Sequence, residues 1–217
     1  IATNEKLERQ SLLQKTKSQE RLYEEQLNSL KKLQLAVSAE VEKIEAELRQ
    51  KIDPSLLPIP RPGVLQWPVA LKEDNGIGRL TQKWGIPSYL YGGKAHNGID
   101  IGAPIGTPVY SAEKGKVLEV WNQDKYCYKG AYGKFIIIEH ENNLTTLYAH
   151  LSLQNVKKDD LVERGQLIGY VGSTGYATGP HLHLTVYASQ TFVIRQSKVN
   201  CGPIMPFGGD LDPLKYL

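Results

Sequence analysis

The stretch His181-Leu182-His183-Leu184 alternates polar and apolar side chains. In an extended chain successive side chains point to opposite faces, so both histidines share one face and both leucines the other. Residues 181–187 therefore read as a strand with one face in a core. Further short apolar runs lie at 107–111, 116–121, 135–140, 144–151 and 167–171, between glycine-rich turns. They favour Val, Ile, Tyr and Thr, as strands do. No helical pattern interrupts them. Residues 64–217 are thus expected to form a mainly antiparallel β domain, two-sheeted or barrel-like. Its length of about 150 residues suffices to bury a core.

The N-terminal part is of another kind. Residues 1–52 contain neither Gly nor Pro and are rich in Glu, Lys, Gln and Leu, all good helix formers. Tyr23, Leu27, Leu30, Gln34, Val37, Val41, Ile44 and Leu48 follow a four-three spacing, the mark of a coiled-coil seam. Pro54 ends the helix, and Pro58, Pro60, Pro62 and Pro68 make residues 53–68 an extended, semi-rigid linker. The fold class is α+β by segregation: a long N-terminal coiled-coil helix, then the β domain. At about 1.5 Å per residue the helix extends roughly 75 Å, more than a domain of this size is wide. Its stripe calls for a partner through residues 20–50, most simply a second copy in a homodimer, or else an upstream helix.

All five histidines fall in the β domain. His96-Asn97-Gly98-Ile99-Asp100-Ile101-Gly102 is the second chemical element beside the His-Leu-His stretch. Read as extended chain, it puts His96, Gly98 and Asp100 on one face, with Gly98 leaving room for an ion. Imidazole and carboxylate are good zinc ligands, and three protein ligands leave a fourth position open, as catalytic rather than structural sites do. His150, in Leu147-Tyr148-Ala149-His150-Leu151, ends a strand. His140 opens His140-Glu141-Asn142-Asn143-Leu144, where Leu144 stands in place of the second histidine of an HExxH; it reads as structural.

These elements, in this order, resemble the LytM/lysostaphin-type zinc metallopeptidases. Between them stand Gly106-Thr107-Pro108-Val109-Tyr110, Gly130-Ala131-Tyr132-Gly133, Val162-Glu163-Arg164-Gly165-Gln166-Leu167-Ile168-Gly169 and Gly172-Ser173-Thr174-Gly175. Asp212-Pro213-Leu214 closes the chain. The resemblance implies one zinc per chain on His96, Asp100 and His183, catalytic roles for His150 and His181, and a substrate in the peptide cross-links or stem peptides of bacterial peptidoglycan. Which of the two histidines acts as base stays open. Tyr91 is a candidate further oxyanion donor. The stretch 189–209 is longer than the family pattern leads one to expect, and it holds Cys201. An enzyme that acts on a wall works outside the cytoplasm, where disulfides persist, so Cys127 and Cys201 are expected to pair.

Other classes fit less well. A net charge of +3 is too small to argue for nucleic acid. No run of about 18 apolar residues occurs, so no membrane span is expected. No leader is read in the chain, and an extracytoplasmic place, in the envelope or secreted, follows from the implied substrate alone. Non-catalytic relatives that activate other wall hydrolases through a coiled coil lack ligand or catalytic positions, whereas all five stand here. Carrier domains need a modified Lys at a hairpin tip, classically between methionines, and the single Met205 lies in a proline-rich loop.

Overall fold

The computed structural model describes residues 2–72, 76–88, 92–199 and 201–217, with the side chains of the first helix from Leu12 onward. Helix α1 spans Ala2–Arg49, uninterrupted because nothing in it breaks a helix. After it, Asp53 caps a short 3-10 turn, Pro54–Leu56, by accepting from the Ser55 backbone N–H. The chain divides into two units, Ile1–Leu33 and Gln34–Leu217. In the first, Leu12, Leu13, Leu22, Tyr23 and Leu27 are exposed. In the second, Val37 and Ile44 of the same apolar stripe are buried within this chain. Among the described residues no helix is long and apolar enough to cross a membrane.

The second unit is built on one large antiparallel sheet. Its strands lie in the order Arg79–Gln82, Ile99–Gly102, His181–Ala188, Leu144–Ala149, Lys134–His140, Gly115–Asn122 and Leu161–Val162, and Asp210–Leu211 also pairs with His181–Ala188. A smaller sheet of Pro108–Tyr110, Leu167–Tyr170 and Leu153–Gln154 contributes Val109 and Ile168 to the core that Ile99, Ile101, Ile136, Leu182 and Leu184 fill from the large one. Period-two alternation then puts His183, Thr185 and Tyr187 on the opposite face, and these too are buried. The central strands are therefore covered on both faces. The strand Arg79–Gln82, Arg-Leu-Thr-Gln, is short, polar and at the sheet edge, and so gives no apolar run to read.

The long stretch after the His-Leu-His strand folds as a 3-10 turn, Ser189–Thr191, and a hairpin of Val193–Arg195 with Met205–Phe207. Cys127 and Cys201 are disulfide-bonded, closing a loop 74 residues apart in sequence. On the chain-entropy model such a closure stabilises by roughly 4 kcal/mol. The bond ties this insertion to the turn that precedes Tyr132.

His140 is wired into the scaffold. Its Nδ1 lies 3.0 Å from the Lys114 carbonyl and its Nε2 2.8 Å from the Thr146 hydroxyl. Burial pushes its pKa down from 6.5 to about 4, against the pull of the Lys114 carbonyl. Between those values the unfolded chain takes up the proton more readily than the folded one, so His140 removes stability as pH falls through that window. Thermal melts at falling pH should show a shallower acid-side loss for His140→Gln than for the natural chain. Parallel acid limbs would contradict this.

Candidate metal centre

Antiparallel pairing sets Asp100 directly opposite His183, and Gly102 opposite His181. His96 is not on that strand; it lies in the bend just before it. The expectation that His96, Gly98 and Asp100 share the face of one extended strand is thus corrected: the bend, not strand alternation, returns the His96 ring to Asp100. Gly98 also has another reason to be glycine. A Cβ there would fall 2.4 Å from the Leu184 carbonyl oxygen, so the neighbouring strand, rather than an ion, takes the space.

The three side chains meet. His183 Nδ1 is 2.9 Å from Asp100 Oδ1 and 3.0 Å from His96 Nε2, and His96 Nε2 is 3.3 Å from Asp100 Oδ1. All three residues are buried. The other nitrogen of each ring is already engaged. His96 Nδ1 faces the Lys83 carbonyl at 3.4 Å, and His183 Nε2 faces the Thr185 hydroxyl at 2.9 Å. A carbonyl only accepts, so His96 Nδ1 carries the proton and Nε2 a lone pair. With Thr185 accepting from His183 Nε2, the His183 Nδ1 lone pair faces inward as well. Two lone pairs and a carboxylate oxygen in such proximity repel one another unless a cation lies between them. This donor set and its outer partners fit a zinc ion. Burial works against ionisation of Asp100, yet its close neighbours His183 and His96 hold its carboxyl well below the usual range. Burial pushes His183 down, toward the neutral ring that a metal needs.

His150 and His181 stand beside this cluster with their rings 4.7 Å apart, and His150 lies 5.8 Å from the His183 ring. Each is oriented the same way. His150 Nδ1 donates to the Thr174 carbonyl and His181 Nδ1 to the Gly179 carbonyl, both at 2.8 Å, which leaves Nε2 unprotonated in the neutral ring. His181 Nε2 is buried with no hydrogen-bond partner among the described residues, 3.7 Å from Asp100 Oδ1. His150 sits just past the end of Leu144–Ala149 with φ of 62°, a left-handed conformation that disfavours a residue with a Cβ by about 1–2 kcal/mol. Its N–H is held by the Tyr132 carbonyl at 3.0 Å. Burial, and then the neighbouring His181, push the His150 pKa well below its ordinary value, so the ring is neutral and able to accept a proton.

Tyr91 lies outside the described residues. The structure instead brings a different phenol to the site. The Tyr132 ring is 5.8 Å from the His183 ring, and its hydroxyl accepts from Asn97 Nδ2 at 2.8 Å. Gly130-Ala131-Tyr132-Gly133 is visible in the sequence as a motif, but nothing in it says that the ring turns toward the histidines. A cavity of about 370 Å³ opens over the cluster, lined on one side by His96, His150 and His183 and on the other by Val37, Val41 and Glu45 of α1.

Residues 94–198 match the model of "Peptidase family M23". The chain belongs to peptidase family M23. It is 50% identical over 91 residues to the peptidoglycan DD-endopeptidase ShyB of Vibrio cholerae, covering 42% of this chain and 20% of that protein. The solved catalytic domain of the antimicrobial peptidase lysostaphin from Staphylococcus simulans is 30% identical with a TM-score of 0.49, covering 63% of this chain and 90% of that one. Lysostaphin itself, 29% identical, matches with a TM-score of 0.50 over 69% of this chain and 52% of its own. The chain spans only about a fifth of ShyB's length.

If the lone-pair geometry holds a metal, the folded chain should carry about one zinc per molecule. Asp100→Ala and His183→Ala should each lose most of it while His150→Ala keeps it. Elemental analysis of dialysed protein decides: full zinc content in either of the first two variants would refute the assignment.

Proposed function

We propose that this chain is a zinc-dependent endopeptidase that hydrolyses peptide cross-links of bacterial peptidoglycan and acts outside the cytoplasm. The observation that carries the reading is the pairing of a three-donor cluster with two histidines whose Nε2 atoms are both left unprotonated beside it. A structural metal site would need a fourth protein ligand and no such flanking bases. The activator reading would tolerate loss of any of these groups; their joint presence, each with its orienting partner, favours catalysis. The 50% identity to a DD-endopeptidase favours a D,D peptide bond over a glycine bridge.

Zinc on His96, Asp100 and His183 would supply Lewis-acid polarisation of the scissile carbonyl and acidify a water. The protein's part can be read from the site. His150, neutral and fixed by Thr174, can take a proton at Nε2 from the attacking water and pass it to the leaving amine. His181, held by Gly179, presents its own Nε2 lone pair to the same space and can accept a hydrogen bond from that water. The Tyr132 phenol is a donor for the developing negative charge. The neighbouring Gly179-Pro180 turn and the Thr174 loop fix both rings before substrate arrives, so orientation is not paid for during the reaction.

His150→Ala and His181→Ala should each keep zinc yet lose about 10²–10⁴-fold in the rate of cell-wall digestion. Tyr132→Phe should lose less, about 10-fold or more, as one donor among several. Purified walls, digested and weighed by mass spectrometry, report both rate and bond: fragments split at the D-alanyl cross-link are expected. A zinc-loaded natural chain that releases no fragments from walls of either cross-link type would overturn the reading.

A further inference from the structure

His150 is held at its backbone and at its ring, and both anchors lead back to one short turn. Its backbone N–H donates to the Tyr132 carbonyl at 3.0 Å, which secures the left-handed backbone there. Its ring Nδ1 donates to the Thr174 carbonyl at 2.8 Å. The turn is the 3-10 segment Gln123–Lys125, which follows the strand Gly115–Asn122; the Asn122 side chain caps it by accepting from the Asp124 N–H.

Gln123 holds the backbone anchor. It is fully buried. Its Oε1 accepts from the Tyr132 N–H at 2.9 Å, and its Nε2 donates to the Ile204 carbonyl at 3.1 Å and to Met205 Sδ at 3.0 Å. Its own N–H donates to the Gly133 carbonyl, and its carbonyl accepts from the N–H groups of Tyr126 and Cys127. Ile204 and Met205 belong to the long insertion, and the Cys127–Cys201 bond ties the same two segments a second time. The insertion therefore backs the turn.

Asp124 holds the ring anchor, from one bond further away. Its Oδ2 accepts from the Gly175 N–H and its Oδ1 from the Lys129 N–H, both at 3.0 Å. The Gly175 N–H and the Thr174 carbonyl are the two ends of one planar peptide unit. A hydrogen bond at one end of such a unit polarises it and strengthens the bond at the other. Carboxylate, peptide and imidazole thus form one line: Asp124 Oδ2, Gly175 N–H, Thr174 C=O, His150 Nδ1–H. The two loops lie backbone against backbone. A Cβ on Gly133 would fall 2.3 Å from the Gly175 nitrogen, and one on Gly175 would fall 2.2 Å from the Ala131 carbonyl oxygen.

We infer that Asp124 is a positioning residue for His150. Through the Thr174–Gly175 peptide it holds the ring in the tautomer with its proton on Nδ1 and Nε2 unprotonated, and the disulfide-tied insertion keeps the turn that carries it in place. The inference rests on the peptidase reading for what the ring does, though not for how it is held. A carboxylate that fixes an imidazole tautomer commonly touches the ring itself. Here a peptide unit stands between them, and it transmits orientation as well as polarisation.

The test uses the full zinc-loaded chain with isotope-labelled histidine. Ring-nitrogen NMR reads the His150 tautomer, assigned by the signal missing from His150→Ala. Turnover is read as kcat and KM on a soluble cross-linked dimer of stem peptides. The natural chain should show His150 protonated on Nδ1. In Asp124→Ala the form protonated on Nε2 should appear, zinc content should hold, and kcat should fall about 10–100-fold with KM little changed. Asp124→Asn, which keeps one acceptor and the shape of the turn, should fall between the two chains, and it carries the comparison should Asp124→Ala fail to fold. In the His150→Ala background Asp124→Asn should cost nothing further, since the two residues act as one unit. A changed tautomer with no cleavage by any chain would keep the positioning and remove the peptidase reading. An unchanged His150 signal in the folded variants, or an equal loss of kcat in the His150→Ala background, would overturn the inference.

Discussion

The pairing of Ile99–Gly102 with His181–Ala188 is the constraint on which the site depends. It fixes Asp100 against His183 by backbone hydrogen bonds rather than by side-chain preference. Ile99–Gly102 lies between the edge strand Arg79–Gln82 and His181–Ala188, and Ile99, Ile101, Leu182 and Leu184 on the inner face of the pair are fully buried. Shifting the register by one residue would turn those four toward the groove and the histidines into the core, so the hydrophobic core itself holds the donor atoms in place. Gly98 serves the same end, since only glycine lets the bend before Ile99 lie against the Leu184 carbonyl.

Much of this was legible in the sequence for a simple reason: strand side chains alternate, and the two chemical elements alternate with apolar residues. His-Leu-His and Asp-Ile-Gly expose their geometry directly. Six strands were readable because each carries Val, Ile, Tyr or Thr in short runs between turns. What escaped was whatever depends on distant contacts. Arg79–Gln82 owes its strand to pairing with Ile99–Gly102, not to its own residues. The approach of Tyr132 to His183 depends on a turn braced by Gln123, which accepts from the Tyr132 N–H. His96 reaches Asp100 and His183 through the bend before Ile99, not through the strand alternation that its spacing suggests.

The helix illustrates the same limit. An apolar stripe at four-three spacing asks for a partner, but its spacing does not say which. Within the Gln34–Leu217 unit the answer for Val37 and Ile44 is the domain that follows, while Tyr23 and Leu27 in the first unit keep the exposed pattern that suits another helix. Buried Glu45 could not be recognised in a stretch where Glu is the commonest kind of neighbour. Its burial sets its pKa well above the ordinary carboxyl range, with nearby Asp210 adding to the effect, which marks it off from the solvated glutamates along the same helix.

The account stands or falls on whether a metal lies among the three converging donors. X-ray diffraction from crystals of the zinc-loaded chain, with anomalous data at the zinc edge, tests this most directly. The expected result is a single strong peak about 2.0–2.2 Å from His96 Nε2, His183 Nδ1 and a carboxylate oxygen of Asp100. A zinc-replete crystal with no peak at that point, or with its zinc held by other residues, would contradict it.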